Sequence, residues 1–360
     1  MEQPVETEPR LATIEIILSL SPIPGADRIE LAEVQGYSVI VEKGAFNVGD
    51  LCVWHNPDTV VDAENPVYEK LKKYEYRLRV IKMRGQVSQG LALPMDALNI
   101  PLDKRIEGEN VTAIVKLTKY NKPDPFGASD FKMKFAGLKP WPGFLRKTEE
   151  TNLRSATRML NELQEQPECV ITKKMDGTSV TVYLFKGEFG VCSRNFELDL
   201  VVESIPHREQ IMQFLKATDI ESRLRAIGAD IAIQGELCGP KINGKKKNAH
   251  MKTIQWFPFN GWDIKNNTYL DHDALTTLVS DLNKQGQGET IQCVPIVSRG
   301  SIKDHTIKTL IELANSMEYA NGVLGEGIVI RPTKEVRSAR IRGRLSAKVI
   351  SDRYCLLHGE

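Results

Sequence analysis

Segments typical of β-strands occur in clusters along this chain, and this distribution restricts the fold more than any other feature. Residues 151–360 contain strand candidates such as CVITKKM, SVTVYLF, IAIQGELCG and EGIVIRP, and amphipathic helix candidates such as NLRSATRMLNELQEQ and DALTTLVSDLNKQG. The strands and helices do not alternate regularly, as they would in a parallel α/β sheet. Clustered strands therefore predict antiparallel sheets flanked by helices, an α+β domain.

Residues 11–115 contain a second group of strand candidates, which are short and closely spaced. Examples are SVIVEK, LCVWH and RLRVIKMRG, and the turn sequences PGAD, FNVGD and HNPD separate strands of this group. Frequent turns between short strands favour a small barrel or a sandwich, and we expect a barrel of about five strands. The segment ENPVYEKLKKYEY predicts a helix inserted into that barrel.

The length of the chain and a local change in composition indicate two domains. A chain of 360 residues is longer than one hydrophobic core usually accommodates. Residues 116–150 contain KPDPFGASD and LKPWPG and few regularly spaced apolar residues, which is typical of a connecting segment. We predict a first domain over residues 1–120, a linker over 121–145 and a second domain over 146–360.

The composition excludes several classes of protein. Basic and acidic residues nearly cancel, 48 against 47, so nucleic acid would have to bind to local basic patches. The six scattered cysteines argue against a zinc knuckle or a disulfide framework and favour a reducing compartment. The polar N-terminus does not resemble a secretory signal, and we predict no membrane span. We expect an intracellular monomer, with the cytoplasm favoured and the nucleus or an organelle as alternatives.

The motif Lys174-Met175-Asp176-Gly177 ends an apolar segment and carries a candidate nucleophile. A lysine amine attacks a nucleotide α-phosphate only when it is unprotonated, and its ordinary pKa is about 10.4. We therefore expect burial or neighbouring cations to lower the pKa of Lys174. A four-residue pattern also arises by chance, and the alternative is a solvated lysine at the end of a strand.

Further motifs follow Lys174 in a fixed order. They are Cys192-Ser193-Arg194-Asn195, Gly235-Glu236-Leu237, Phe259-Asn260-Gly261-Trp262-Asp263, Glu326-Gly327-Ile328-Val329-Ile330-Arg331 and Ser346-Ala347-Lys348-Val349. The ordered series resembles the covalent nucleotidyltransferase superfamily, which contains ATP-dependent DNA and RNA ligases and mRNA capping enzymes. The resemblance covers roughly residues 140–355. It implies that the second domain is a nucleotidyltransferase domain that uses ATP.

The resemblance implies a role for each of the first motifs. Lys174 would form a phosphoramidate with AMP. Arg194 would receive the 5′-phosphate of the strand to be joined, for which a rigid guanidinium is well suited. Glu236 would bind the ribose hydroxyls. The alternatives are a local ion pair between Arg194 and a carboxylate such as Glu197, and a buried ion pair for Glu236.

The resemblance also implies an aromatic side chain that stacks on the purine, and Phe259 is the candidate. The ordinary alternative is a phenylalanine of the hydrophobic core. Trp256, Phe257 and Trp262 lie close to it in the sequence and compete for the role.

The last motifs resemble those that bind the metal and the α-phosphate. Glu326, with Asp176 as a second carboxylate, would hold Mg²⁺ or Mn²⁺. Lys348 would contact the α-phosphate, where a positive charge assists phosphoryl transfer. Many members of the superfamily have a second lysine where this chain has Ser346. Either Lys348 acts alone or Arg344 takes that role. A surface glutamate and a solvated lysine are the alternatives for Glu326 and Lys348.

The order of the two domains resembles the Naegleria- and Deinococcus-type RNA ligases, which have an N-terminal OB-like domain and act on nicks whose 3′-OH strand is RNA. DNA ligases and capping enzymes usually carry their OB barrel after the nucleotidyltransferase domain. The resemblance implies an ATP-dependent RNA ligase of RNA repair that acts on nicked duplexes. A DNA ligase, a capping-type guanylyltransferase and a non-catalytic nucleic-acid-binding protein are the alternatives. The biological RNA, the sugar of the template and the preferred metal stay open.

Basic segments in both domains are candidates for contacts with the nucleic acid backbone. Arg77 and Arg79 lie in a strand candidate of the barrel. Lys245-Lys246-Lys247 and a series of arginines that includes Arg340 and Arg344 lie in the second domain. Solvated charges on a surface strand or loop are the alternative for each segment.

Overall fold

The computed structural model describes residues 10–120, 137–147, 150–242, 250–320, 322–338, 341 and 343–358. These residues form two units. The first unit contains residues 10–120 together with Leu153–Thr157 and residues 352–358. The second unit contains the remaining described residues between 137 and 351.

The strands of the first unit are β1 (Ala12–Pro22), β2 (Ile29–Val34), β3 (Tyr37–Glu42), β4 (Leu51–His55), β5 (Thr59–Val60), β6 (Ile81–Met83), β7 (Gln86–Ser88), β8 (Leu91–Leu93) and β9 (Thr118–Lys119). Five of them form an antiparallel sheet in the order β3-β2-β1-β4-β8. The Gln89 amide, just before β8, donates to the Ser38 carbonyl of β3 at 2.9 Å. The sheet therefore nearly closes on itself, which confirms the predicted small barrel.

Alternation of side chains places one of the two described hydrophobic clusters of the first unit inside this barrel, while the other lies on the opposite face of β4 and contains Val53 and Tyr68. In β3, Tyr37, Val39 and Val41 are buried and the residues between them are partly exposed. The predicted inserted helix is present as a 3₁₀ helix over Pro66–Tyr74, and the side chain of Asn65 caps it by accepting from the Val67 amide.

Arg154 joins distant parts of the first unit. Its guanidinium donates to Gln89 Oε1 at 2.5 Å and pairs with Asp352 Oδ1 at 2.6 Å. The neighbouring Ser155 hydroxyl lies 2.8 Å from the Tyr37 hydroxyl. The Arg154 side chain is 3% exposed. Residues 153–157 and 352–358 are therefore integral parts of the first unit, although they lie far from the barrel in the sequence.

The strands of the second unit are β10 (Leu138–Pro140), β11 (Thr151–Asn152), β12 (Cys169–Lys174), β13 (Thr178–Phe185), β14 (Glu188–Cys192), β15 (Phe196–Leu198), β16 (Ile231–Cys238), β17 (Gln255–Asp263), β18 (Thr268–Tyr269), β19 (Ile296–Gly300), β20 (Gly327–Pro332) and β21 (Ala347–Ile350). One sheet has the order β10-β15-β14-β13-β16-β17-β18, and the other has the order β11-β21-β20-β12-β19. Neighbouring strands are antiparallel except for β11 and β21. The predicted α+β fold is confirmed.

The described α-helices are α1 (Met159–Gln164), α2 (Arg208–Thr218), α3 (Ile220–Ile227), α4 (His272–Lys284), α5 (Ile307–Asn315) and α6 (Asp352–His358). In the ranges that the structure describes, no helix combines the length and the apolar character needed to cross a membrane. The single helix predicted from NLRSATRMLNELQEQ is wrong in its first half. Leu153–Ser155 form only a 3₁₀ turn, and α1 begins at Met159.

One face of the seven-stranded sheet is apolar and packs against helices. Val180 and Val182 of β13 and Ile233 of β16 are buried in one cluster with Phe214 of α2 and Leu224 of α3. Since side chains alternate along a strand, the residues between them project from the opposite face. That polar face carries Ser179, Thr181, Gln234 and Glu236.

Candidate active site

Lys174 is the last residue of β12 and pairs with Gly327, the first residue of β20. Glu326 therefore lies beside it, just before β20. Lys174 Nζ is 2.7 Å from Glu326 Oε1, and the two side chains are 24% and 13% exposed. The structure thus brings together the predicted nucleophile and the predicted metal-binding carboxylate, and largely shields their ion pair from water.

Two glycines of the motifs stand where a side chain would not fit. A Cβ atom on Gly177 would lie 2.3 Å from the Leu237 carbonyl oxygen, and one on Gly327 would lie 2.1 Å from the Val349 carbonyl oxygen. Gly327 also has a φ of 150°, which favours glycine. The chain can therefore turn tightly after Lys174 and approach β21 closely after Glu326.

Glu236 lies opposite Ser179 in the sheet, and its Oε1 accepts from the Gly177 amide at 3.1 Å. Burial raises the pKa of Glu236 to about 8, against the opposing charge of Lys174. The charges of Glu326 and Asp176 raise this pKa as well, and Asp176 is itself buried. Glu326 and Asp176 therefore both act on Glu236, and Glu236 and Glu326 also act on the Lys174 amine.

The carboxylates reverse the expected effect of burial on Lys174. Burial lowers the pKa of the Lys174 amine, but the charges of Glu326, Glu236 and Glu150 outweigh it, and the pKa lies above its ordinary value. The prediction that the surroundings lower the pKa of Lys174 is therefore wrong, because the protein's own carboxylates raise it. Lys174 is held as an ammonium.

Lys348 lies in β21, directly opposite Val329 of β20. Burial and the Lys174 ammonium lower the pKa of Lys348, while Glu150 and Glu326 oppose them. Burial alone would raise the pKa of Glu150, but the charges of Arg331, Lys348 and Lys174 bring it below its ordinary value. Both predicted lysines therefore act on the same buried carboxylate.

Arg331 lies beside Ser346, the position at which a second lysine was expected. Its Nε donates to Ser346 Oγ at 2.9 Å, and its Nη2 pairs with Glu150 at 2.5 Å. Arg344 instead pairs with Glu335, donates to Asn260 Oδ1 at 2.8 Å and lies over the Tyr269 ring. These contacts favour Arg331 over Arg344 as the cation at this position.

Phe259 is partly exposed and lines a shallow recess together with Thr172 and Arg331. Its carbonyl accepts from Arg331 Nη1 at 2.6 Å, which fixes this part of β17 against β20. None of Lys174, Glu236, Glu326 and Lys348 lines this recess, so the recess does not join Phe259 to the lysine site.

The competing aromatic residues near Phe259 differ in their surroundings. Trp256 Nε1 donates to the Val180 carbonyl and Trp262 Nε1 donates to the Phe144 carbonyl, each at 3.1 Å, and both tryptophans are buried. Phe257 lies directly opposite Glu236 and therefore shares its face of the sheet. The tryptophans serve the core, and Phe257 is the remaining competitor.

Arg194 follows β14 and lines a second recess, which lies on the polar face of the seven-stranded sheet. Lys147 contributes a second cation to this recess. The charge of Arg194 also lowers the pKa of Lys348, so the recess is electrostatically coupled to the lysine site. Two cations at one recess suit a phosphate group.

The candidate nucleic-acid contacts are not equivalent. Arg77 pairs with Asp58 at 2.5 Å, lies over the Tyr120 ring at 3.6 Å and is 12% exposed. Arg79 is exposed. Arg77 is therefore engaged within the first unit, whereas Arg79 is available at its surface. Arg340 and Lys245-Lys246-Lys247 lie outside the described residues.

Four residues of this site, Lys147, Glu150, Tyr319 and Arg331, had no role in the sequence analysis. Arg331 ends one of the motifs and Glu150 precedes the nucleophile, so both could have been suspected from their positions. Tyr319 lies in none of the motifs. Its hydroxyl donates to the Lys174 carbonyl at 2.7 Å and accepts from the Glu326 amide at 3.0 Å.

A divalent cation can be accommodated by this donor set. Among the described residues, no group of three or more His, Cys, Asp or Glu side chains is arranged to hold a metal ion. Mg²⁺ and Mn²⁺ are commonly held by one or two carboxylates together with water and phosphate oxygens. Glu326 and the buried Asp176 supply such a pair.

Comparisons with known proteins agree with this geometry. The RNA ligase family model matches residues 167–350, and an OB-fold domain model matches residues 11–95. No protein among the curated sequences matches the chain.

Several solved structures of an RNA ligase from Naegleria gruberi are similar to this chain over 96% of its length. A lysine mutant with ATP and Mn has 29% identity, 98% coverage of its own chain and a TM-score of 0.79. An aspartate mutant without ligand has 30% identity, 97% coverage and a TM-score of 0.77. A structure with PPi has 29% identity, 98% coverage and a TM-score of 0.77.

Proposed function

Because the chain belongs to the RNA ligase family, we propose that it seals nicks between an RNA 3′-OH and a 5′-phosphate through a lysyl-AMP intermediate on Lys174. The observation that carries this proposal is the convergence of Lys174, Glu326, Glu236 and Lys348 on one shielded site. The similar N. gruberi RNA ligase has been solved with ATP and Mn and with PPi, which supports ATP and a divalent metal as the cofactors here.

In the first step the Lys174 amine attacks the α-phosphorus of ATP. The new P–N bond forms, the bond between the α-phosphorus and the bridging oxygen breaks, and pyrophosphate leaves with that oxygen. Lys348 is placed to stabilise the negative charge on the α-phosphate oxygens. Glu236 would hold the ribose, and Phe259 would stack on the adenine.

The ammonium of Lys174 must lose its proton before this attack. Glu326 Oε1 lies 2.7 Å from Nζ and is therefore within reach of that proton. Mg²⁺ or Mn²⁺, held by Glu326 and Asp176, would supply positive charge that neutralises these carboxylates and the phosphate oxygens. With Glu326 neutralised, burial and the Lys348 charge would lower the pKa of Lys174.

Two further transfers complete the reaction. The RNA 5′-phosphate attacks the phosphorus of lysyl-AMP, the P–N bond breaks, and a new anhydride joins AMP to the RNA end. The 3′-OH then attacks the RNA phosphorus, forms the phosphodiester and releases AMP. Arg194 and Lys147 are placed to hold the 5′-phosphate, and the exposed Arg79 of the barrel is a candidate contact with the duplex backbone.

Incubation with α-labelled ATP and Mn²⁺ tests the first step. The wild-type protein should become covalently labelled, and Lys174→Ala should not. Label that persists in Lys174→Ala would contradict the assignment of the nucleophile. Labelling by GTP in place of ATP would favour a capping-type enzyme, and binding of nucleic acid without any labelling would favour a non-catalytic protein.

A panel of nicked duplexes tests the substrate. Nicks that differ only in ribose or deoxyribose at the 3′-OH end should be sealed faster when the sugar is ribose. A clear preference for deoxyribose would favour a DNA-joining activity over the proposed one.

A further inference from the structure

A single hydroxyl group joins the backbones of Lys174 and Glu326. Tyr319 Oη donates to the Lys174 carbonyl at 2.7 Å and accepts from the Glu326 amide at 3.0 Å. The two residues contacted are the proposed nucleophile and its ion-pair partner. Tyr319 itself is too far along the chain from Lys174 to be a local turn contact, since 145 residues separate them.

This bridge lies at the point where the pairing of β12 and β20 ends. Lys174 and Gly327 are the last pair of that register. Beyond this pair, the chain leaves β12 through Met175 and the tight turn at Gly177, and it enters β20 from Glu326. The hydroxyl of Tyr319 therefore links the two chains one residue beyond their last backbone pair, because it contacts Lys174 on one side and Glu326 on the other.

The Tyr319 side chain is itself held in place. Its ring stacks on His250 with a centroid separation of 5.6 Å and an interplanar angle of 12°. The Tyr319 amide donates to the Val323 carbonyl at 2.9 Å, and the Gly325 amide donates to the Met317 carbonyl at 2.8 Å. Backbone hydrogen bonds thus hold together the segment that carries Tyr319, and the His250 ring packs against the Tyr319 ring.

We propose that Tyr319 is a positioning residue for adenylylation, which holds the Lys174 amine and the Glu326 carboxylate at the separation that the reaction requires. The inference rests on the proposed function. The hydroxyl acts through the two backbones and does not touch the reacting atoms. Burial and the nearby Glu326 charge raise the pKa of Tyr319, so the hydroxyl keeps the proton that it donates to the Lys174 carbonyl.

The test is the time course of labelling by α-labelled ATP at saturating ATP and Mn²⁺ in Tyr319→Phe. This change removes the hydroxyl and keeps the ring that stacks on His250. We expect the rate constant to fall by roughly 10- to 100-fold, as for other residues that orient metal-linked groups. We expect the final labelled fraction and the ATP concentration for half-maximal rate to stay near the wild-type values.

Tyr183→Phe is the matched control. The Tyr183 hydroxyl donates to Glu197 Oε1 at 2.8 Å in the same unit, so the change removes one hydrogen bond of similar length away from Lys174. Its rate constant should stay close to that of the wild type. A role of Tyr319 in stability alone would reduce the labelled fraction and leave the rate constant of the folded protein unchanged, and this result would overturn the inference.

His250→Ala provides a second test if Tyr319→Phe does not fold. It removes the stacked ring and keeps the hydroxyl, so labelling should be slower with an unchanged final fraction. A rate constant equal to that of the wild type would then overturn the inference. A wild-type protein that takes no label would overturn the proposed function together with this inference, whereas normal labelling of both variants would overturn the role of Tyr319 alone.

Discussion

The amine of Lys174 and the carboxylate of Glu326 lie 2.7 Å apart, although the two residues are 152 positions apart in the sequence. The antiparallel register that pairs Lys174 with Gly327 produces this proximity. The ion pair has two effects on the proposed reaction: it orients the amine, and it keeps the amine protonated.

Glu326→Gln should lower the pKa of Lys174. Burial already lowers the pKa of this amine, and Glu326 is the strongest of the carboxylates that raise it. An NMR titration of the Lys174 Nζ in protein with labelled lysine measures the change. Glu335→Gln is a suitable control because Glu335 pairs with Arg344, away from Lys174. An unchanged pKa in Glu326→Gln would show that the ion pair does not control this amine.

Glu236→Gln should stabilise the protein at alkaline pH and have little effect near pH 4. The pKa of Glu236 is raised to about 8 in the folded protein, whereas a glutamate in an unfolded chain has a pKa of about 4.3. As the pH rises between these values, the unfolded chain loses a proton that the folded protein retains, so the wild type loses stability.

The neutral glutamine avoids this loss. Allowing for the partial exposure of Glu236, we expect a gain of about 1–2 kcal/mol in the free energy of unfolding at pH 8. Urea unfolding of both proteins at pH 4, 6 and 8 measures the difference. A difference that does not change with pH would contradict the raised pKa.

Arg331→Met should destabilise the protein by about 3 kcal/mol because it removes the hydrogen-bonded partner of the largely buried Glu150 carboxylate. The double variant Arg331→Met with Glu150→Met should recover much of that loss but not the labelling by ATP. Thermal unfolding and labelling of the single and double variants separate the two effects.

Arg344→Met is the control for loss of an arginine at a different ion pair. If it impaired labelling more than Arg331→Met, Arg344 would be the cation that replaces the missing lysine.

Arg79→Ala should weaken binding to a nicked duplex and reduce the slope of log Kd against log salt concentration by about one. Arg77→Ala should instead lower the stability of the first unit, since Arg77 pairs with Asp58 and covers Tyr120. Binding titrations at several salt concentrations, with thermal unfolding of each variant, distinguish the two arginines. Equal salt slopes for Arg79→Ala and the wild type would exclude a phosphate contact at Arg79.

The sequence predicted the strands that carry the site because each is marked by a local pattern. β12 is an apolar run that ends in two lysines, β20 is an apolar run that follows Glu326, and β16 begins with the apolar run Ile231-Ala232-Ile233. The helix predicted over residues 152–166 was wrong in its first half. Asn152 pairs with Lys348 of β21 in the sheet, and this distant pairing overrides the helical periodicity.

The parts of the site that escaped prediction depend on distant contacts. Nothing in the sequence near Tyr319 indicates that its hydroxyl reaches Lys174. The pKa of Lys174 could not be inferred from burial alone, because its direction depends on three carboxylates from separate segments. The choice between Arg331 and Arg344 likewise required the positions of Ser346 and Glu335.

The first unit has a consequence for synthesis of the chain on the ribosome. Arg154 links the barrel residue Gln89 to Asp352, the first residue of α6. When the barrel strands emerge, neither Arg154 nor Asp352 has yet been translated. Domains usually fold in order from the N-terminus during synthesis, but this one acquires its last helix only after the second unit has been made. The first unit is therefore completed only late in translation, when Asp352 becomes available to pair with Arg154.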